Sequence, residues 1–394
     1  MPQPSVWISA AETSGDIHGA QLVESLHSLI PSAEFLGVGG PAMRDRGLKA
    51  VVRSEELSVM GLTEVLSALP RILSIYRQIK HRLRTSPPDC LVLIDAPDFH
   101  FRVAKMASKL NIPVYYYISP QVWAWRKRRV HFLKKHVRKI LCIIPFEKDF
   151  YVRHGVDVEY VGHPLMQHLD FQALEQVQTR KGLIGIMPGS RAKEIRALLP
   201  AFADAARQIK ADRPEIAFRL FQSAAIEESE LRNLWPDDLP VEVAPFEQRY
   251  RHMKACQVII TASGTATLEC ALLDTPAIVA YRISRLSYCI ARLLVDVPFI
   301  SMPNLILDRQ VFPEFLQNQV TGQQLARQAL DWLNEPDRLD QVRSELSRLR
   351  SLLGQETASR RSAEIIVEDI RSLPESSSFA GAATDQGEHG QKQA

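Results

Sequence analysis

Cysteine is scarce in this chain: Cys90, Cys142, Cys256, Cys270 and Cys289 are all there are, and no two form a C-x-x-C pair. That excludes a disulfide framework and a thiolate metal ribbon, and it suits a reduced cytosolic protein. No apolar run reaches the roughly 18 residues a membrane-spanning helix needs, and the short apolar start has no basic segment before it, so neither a span nor a signal peptide is expected. An excess of one charge is missing too. The net charge is +3 over 394 residues, too mild to argue for nucleic acid without a clustered surface. Also absent is the G-x-x-x-x-G-K-[ST] phosphate loop, as is any D-x-D, the short acidic motif that commonly holds a divalent metal on a sugar nucleotide. No repeat of 20 to 50 residues is visible.

What is present is ordinary globular material, 46% hydrophobic and 24% charged, long enough for two cores. Apolar runs at Ser5 to Ala10, Glu34 to Val38, Cys90 to Ile94, Val114 to Ile118, Ile140 to Ile144 and Val158 to Val161 lack alternation, which suits strands buried on both faces of a parallel sheet. A helix with Leu22, Val23, Leu26, Leu29 and Ile30 on one face, from Ile17, links the first two. After a polar stretch the pattern restarts at Leu183 to Met187, Ala217 to Phe221, Val241 to Val243, Val258 to Thr261 and Ala277 to Tyr281. The expected fold is α/β: two Rossmann-like doubly wound domains, 1–165 and 166–355, facing a central cleft. A C-terminal helix over 356–373, expected either to pack back on the N-terminal domain or to be exchanged in a dimer, and a disordered tail over 374–394, rich in Ser, Gly, Ala and Gln, complete the division.

Three strand-to-helix junctions carry small or hydroxyl residues: Glu12-Thr13-Ser14-Gly15-Asp16, Pro188-Gly189-Ser190-Arg191 and Ser263-Gly264-Thr265. The first amides of a helix are unpaired, its dipole there favours negative charge and Gly permits close approach, so each can take an anion; each also reads as ordinary N-capping. Arg191 adds a guanidinium that can fork onto phosphate oxygens. Glu269, four residues after Thr265, could accept from ribose hydroxyls or serve only as a cap. Gly37-Val38-Gly39-Gly40-Pro41-Ala42 formally fits a dinucleotide fingerprint, but Pro41 removes a donor amide and no acidic residue follows in the required context. A diphosphate ligand at these junctions would be held by amides and Arg191, with no metal and no cofactor expected.

Asp95 closes the run Leu91-Val92-Leu93-Ile94 at the carboxyl end of a buried parallel strand, where such folds bind ligands. Apolar surroundings raise a carboxyl pKa and make it a better general base. The alternatives are that Asp95 caps the following helix, or that Asp98 competes for the role, though Asp98 reads better as a cap. Glu12 and His18 could assist.

Two segments suggest lipid. The helical stretch Leu62 to Arg84 carries Leu66, Leu69 and Leu73 among further apolar residues, with Arg71, Arg77 and Lys80 beside them and a kink expected at Pro70. Val122-Trp123-Ala124-Trp125 runs directly into Arg126, Lys127, Arg128 and Arg129. Basic residues near an anionic leaflet contribute on the order of 1 kcal/mol each, enough for peripheral docking. A buried core helix and a solvated charged helix are the corresponding bland readings.

Taken together, Glu12 to Asp16, Val59-Met60-Gly61, Ile94 to Phe99, Ser119 to Trp125, Pro188 to Arg191, Ala262 to Cys270 and Met302-Pro303-Asn304-Leu305 resemble the lipid-A-disaccharide synthase family in motif and order, over about residues 5 to 370. The resemblance implies a GT-B glycosyltransferase that joins UDP-2,3-diacylglucosamine to 2,3-diacylglucosamine 1-phosphate, releasing UDP with inversion to a β-1,6 bond. It implies Asp95 as the base and Arg191, Ser263, Gly264, Thr265, Glu269 and Asn304 as the UDP site; beside them, Glu12 is expected to assist catalysis and Gly189 and Ser190 to complete the phosphate turn. Ser14, Gly15, Asp16 and Met60 would line the acceptor side. The resemblance also suggests a homodimer, while the unpaired cysteines and the basic aromatic segment read with it as a cytoplasmic enzyme docked on the inner membrane, with no nucleic-acid partner. Two rivals remain open: another UDP-sugar transferase or epimerase with a soluble substrate, and a non-catalytic peripheral protein that binds nucleotide and anionic lipid.

Overall fold

A computed structural model describes residues 3–58, 65–223, 226–354 and 357–373. The chain divides into two compact units: one is built from the chain up to Gln167 together with the segment from Gln355 onward, the other from His168–Gly354. Among its described residues the first unit holds seven strands, β1 (Ser5–Ala10), β2 (Glu34–Gly39), β3 (Lys49–Arg53), β4 (Cys90–Ile94), β5 (Val114–Tyr117), β6 (Lys139–Cys142) and β7 (Val158–Tyr160). They form one sheet in the order β3-β2-β1-β4-β5-β6-β7, every pair parallel. The second unit holds β8 (Leu183–Met187), β9 (Ala217–Phe221), β10 (Glu242–Ala244), β11 (Val258–Ala262), β12 (Ala277–Tyr281) and β13 (Glu314–Leu316), again all parallel, in the order β10-β9-β8-β11-β12-β13.

The unalternating apolar runs are the central strands, because helices cover both faces of a parallel sheet and neither face can be polar. Tyr115, Tyr116 and Tyr117, consecutive on β5, are all fully buried. Two strands differ from expectation: β3 and β13 were not foreseen, since both are edge strands with only partly buried, charge-bearing sequences that carry no double-faced run. The first helix also starts earlier than expected. It spans Thr13–Leu29, with Glu12 as its N-cap residue, so Ser14, Gly15 and Asp16 lie in its polar first turn rather than in a preceding loop. The lipid-suggesting helix spans Val65–Thr85 with Pro70 inside it, while Met60 lies outside the described residues, as does the tail from Pro374.

Helix Ala358–Arg371 packs on helix Thr13–Leu29, placing Ala358, Ala363, Ile366 and Ile370 in the same core as Leu22, Val23 and Leu26. A polar clamp fixes its far end: Asp369 accepts from the Tyr115 hydroxyl at 2.6 Å and from Arg138 Nε at 2.5 Å. Burial alone would raise the Asp369 carboxyl, but the Arg138 and Tyr115 hydrogen bonds outweigh it and hold the group below its ordinary value. A depressed carboxyl contributes stability above its unfolded pKa and loses it as pH falls through the folded one. Asp369→Asn is therefore expected to destabilise this unit by about 1–3 kcal/mol at pH 7, and the difference in thermal unfolding between variant and parent should shrink as pH falls well below the ordinary aspartate value of about 4. A difference that does not shrink would contradict this.

Candidate active site

In each sheet the chain turns one way after one central strand and the other way after its neighbour. This happens between β1 and β4 in the first unit and between β8 and β11 in the second. Ligands of open parallel sheets bind at the carboxyl ends of strands at such switch points. Both switch points are occupied by residues singled out in the sequence. Glu12 follows β1 and Asp95 follows β4, with Ala10 and Ile94 in register. Gly189, Ser190 and Arg191 follow β8, and Ser263, Gly264 and Thr265 follow β11, with Met187 and Thr261 in register.

Asp95 is partly buried, and its carboxyl is pushed above its ordinary value, first by burial and then by the negative charge of Glu12, against a hydrogen bond from the Ala96 amide. Asp95 is not a cap: Ala96 holds the N-cap place of helix Pro97–Ser108 and no side chain caps it. Both Asp95 and Ala96 have positive φ, 50° and 46°, where non-glycine residues cost on the order of 1–2 kcal/mol each. Side chains from two other elements hold this turn. The Asp95 carbonyl accepts from His100 Nδ1 at 2.7 Å and from the Tyr116 hydroxyl at 2.7 Å. The other His100 nitrogen, Nε2, lies 2.9 Å from Ser9 Oγ.

Around this centre the remaining first-unit candidates take varied roles. Glu12 and Ser14 are exposed, and Gly15 packs closely under the ends of β1 and β4 near Ala10 and the Ile94 carbonyl. Asp16 is buried and already committed: its carboxylate accepts the amides of Gly40 (2.7 Å), Ala42 (2.9 Å) and Met43 (3.2 Å), so it caps a neighbouring short helix rather than facing a ligand. Asp98 is no cap either; it pairs with Arg129 at 2.9 Å and Arg126 at 3.7 Å.

The lipid candidates divide by burial. Trp123 was expected at an interface, but it is 9% exposed and donates Nε1–H to Glu147 at 2.8 Å, a core anchor. Burial pushes that Glu147 carboxyl up to about 7 against the Trp123 hydrogen bond. Trp125 is only half-buried, with Arg126 and Arg129 guanidinium groups 4.4 and 5.7 Å from its ring centroid. Arg126 and Arg128 are exposed, whereas Arg129 is tied to Asp98 and lies over Phe101. On helix Val65–Thr85, Ile75, Ile79 and Leu83 are buried and Leu73 is 52% exposed, so the helix is part core and part surface. The Leu66 and Leu69 side chains lie outside what the structure describes.

In the second unit, Gly189 has φ +116°, and a Cβ there would fall 2.1 Å from Glu194 Oε2. That oxygen accepts the Ser190 amide at 3.1 Å. A carboxylate of the chain itself thus sits on the turn, showing that its backbone favours an anion. Arg191 is exposed at the N-cap of helix Ala192–Asp212. Gly264 and Thr265 are exposed, with open space beside Gly264, and Ser263 is half-buried, its hydroxyl donating to the Ile300 carbonyl at 3.3 Å. Glu269 is buried one turn into helix Thr265–Leu272, where Oε1 accepts from Tyr250 (3.1 Å) and Arg249 (3.3 Å).

Asn304 differs from the nucleotide contact expected of it. Fully buried, it donates to the Phe312 carbonyl (2.8 Å) and Glu314 (2.7 Å) and accepts from the amides of Val311 (2.9 Å) and Phe312 (2.8 Å). With both donors and both lone pairs engaged, its amide has nothing left for a ligand. It braces Glu314, which in turn accepts the Ile300 and Ser301 amides behind Ser263.

Two doubly wound units, each with small or acidic residues gathered at its switch point, define the GT-B class of fold. Solved structures agree: the kitacinnamycin glycotransferase aligns with TM-score 0.62 at 14% identity, over 93% of this chain and 99% of its own. The UDP-GlcNAc 2-epimerase of Neisseria meningitidis aligns with TM-score 0.56 at 12% identity, over 94% and 99%. At such identities the likeness concerns the fold alone. Sequence gives the family: the profile described as lipid-A-disaccharide synthetase matches residues 6–370. Lipid-A-disaccharide synthases of Geobacter metallireducens (37% identical, covering 93% of this chain and 97% of that protein) and Nitrosococcus oceani (39%, covering 89% and 92%) are similar along nearly their whole length. The chain belongs to the lipid-A-disaccharide synthase family, and it is a glycosyltransferase of lipid A biosynthesis. The non-catalytic reading falls away.

Proposed function

We propose that the enzyme joins UDP-2,3-diacylglucosamine to 2,3-diacylglucosamine 1-phosphate, forming a β-1,6 disaccharide 1-phosphate and UDP with inversion. The observation that carries the reading is Asp95, a partly buried carboxylate with a raised pKa at the switch point of the first unit. Asp95 takes the proton of the acceptor hydroxyl as its oxygen attacks the anomeric carbon from the face opposite UDP. Glu12, whose charge reaches Asp95, tunes that basicity. At the second switch point the Gly189–Arg191 and Ser263–Thr265 turns and the Arg191 guanidinium stabilise charge developing on the leaving diphosphate, and Glu269 accepts from the ribose. In this reading Glu194 yields its place on the Ser190 amide to phosphate. The configuration of the new bond tests the displacement: proton NMR of the product shows a β linkage, whereas an α linkage would exclude direct displacement.

Acylated substrates call for apolar and basic surface at a membrane. Among the described residues no helix is long and apolar enough to cross one. Exposed Leu73, half-buried Trp125, and exposed Arg126 and Arg128 support peripheral docking by the first unit, and Leu293, Leu294 and Val295 are exposed in the second. Arg126→Ser with Arg128→Ser is expected to weaken binding to vesicles containing anionic lipid by about 2 kcal/mol, roughly 30-fold, with no change on neutral vesicles. Unchanged co-sedimentation with anionic vesicles would remove this patch from the membrane contact.

A further inference from the structure

We propose that His100 and Tyr116 are positioning residues that hold Asp95 in the left-handed turn from which its carboxylate acts. The inference rests on the reading of Asp95 as the base. Two consecutive non-glycine residues at positive φ do not stay there unaided; such strain persists only where surrounding contacts over-determine it. Here the contacts are identifiable. The Asp95 carbonyl oxygen has two lone pairs, and the His100 ring and the Tyr116 hydroxyl take one each at 2.7 Å. Any return of Asp95 to an ordinary strand or helix conformation would swing that carbonyl away and strand two buried donors, one of them on a fully buried tyrosine.

The clamp has one direction only. A carbonyl can only accept, so His100 Nδ1 carries the proton, and Nε2 of the neutral ring must then accept from the Ser9 hydroxyl at 2.9 Å. Complete burial keeps the ring neutral, lowering its pKa to about 4 against the opposing hydrogen bond to Asp95. Neither nitrogen is therefore available for proton transfer to a substrate, which separates His100 from the catalytic groups. Ser9 and Tyr116 sit on β1 and β5, the strands that flank β4 on either side. The turn after β4 is thus tied to both of its neighbours through groups that reach no ligand. Edge contacts of the His100 ring with Phe99 and Tyr116, at centroid distances of 5.2 and 6.3 Å, leave the imidazole little room to rotate.

The test compares four variants of the full chain in steady-state transfer and in thermal unfolding. His100→Leu removes both hydrogen bonds of the ring and is expected to lower kcat by about 10²-fold, with KM for both substrates unchanged. Tyr116→Phe keeps the shape, loses one bond, and lowers kcat by about three- to tenfold. His100→Asn places an amide N–H where Nδ1–H stood and should keep kcat within about threefold of the parent. In His100→Leu and Tyr116→Phe the acid limb of the kcat profile moves to lower pH, because a loosened carboxylate gains water. A role confined to stability would lower the melting temperature without moving that limb. Parent-like kcat and pH profile in Tyr116→Phe overturn the proposal, as does a His100→Asn that falls as far as His100→Leu. Should His100→Leu not fold, Tyr116→Phe and His100→Asn decide. Asp95→Ala, measured alongside, separates the two ideas: if it retains activity, the base assignment fails, whereas an inactive Asp95→Ala beside fully active clamp variants removes the positioning role alone.

Discussion

Asp95→Asn lowers kcat for disaccharide formation by about 10²–10⁴-fold and leaves the affinity for UDP unchanged. Asparagine keeps the size and hydrogen-bonding reach of the side chain but cannot accept the hydroxyl proton, so the loss falls on the chemical step. The pH dependence carries the same signature. Burial and the Glu12 charge hold the Asp95 carboxyl above its ordinary value, and a base must be deprotonated to act. Activity should therefore fall as pH drops through a value above the ordinary aspartate pKa of about 4. Removing the neighbouring negative charge with Glu12→Gln lowers the pKa of Asp95, and the acid limb should move to lower pH. An acid limb that stays in place in Glu12→Gln would contradict the coupling; an Asp95→Asn with parent-like kcat would contradict the base.

The second large effect belongs to Arg191. It is exposed at the opening of a 21-residue helix, beside a turn whose backbone already holds the Glu194 carboxylate. Charge-assisted hydrogen bonds contribute about 1.5–3 kcal/mol, so Arg191→Ala is expected to weaken UDP binding by roughly 10- to 150-fold, measured by titration calorimetry. The loss is specific to phosphate, and uridine affinity should not change. Arg191→Lys restores only part of it, because an ammonium cannot fork across two oxygens. Equal losses for UDP and uridine would place Arg191 at the base or ribose instead.

The sequence made the architecture legible wherever burial on both faces suppresses alternation, as at Leu91-Val92-Leu93-Ile94 and the three tyrosines of β5. The edge strand Lys49–Arg53 escaped because both of its ends are charged and only one of its five residues is buried, so no double-faced apolar run remains. At the candidate site, position at a strand end was readable: Asp95, Arg191 and the Ser263–Thr265 turn all follow central strands. What partners a side chain finds across the fold was not. Trp123 followed by Trp125 and a run of arginines looks the same whether the first indole faces lipid or reaches Glu147, 24 residues later. Asn304 within its motif gives no sign that its amide is consumed by residues 311–314. The Asp95 clamp joins Ser9, His100 and Tyr116 from three separate stretches, and only the parallel register between β1, β4 and β5 brings them together. His100 alone left a trace, five residues beyond Asp95, which places it one turn into the following helix.

The most direct test of the account is mass analysis of the products formed when purified enzyme is mixed with UDP-2,3-diacylglucosamine and 2,3-diacylglucosamine 1-phosphate. The account predicts a tetra-acylated disaccharide 1-phosphate and UDP in equal amounts, with neither formed when the acceptor is omitted. A sugar nucleotide recovered as its epimer, or UDP released at the same rate without acceptor, would contradict it.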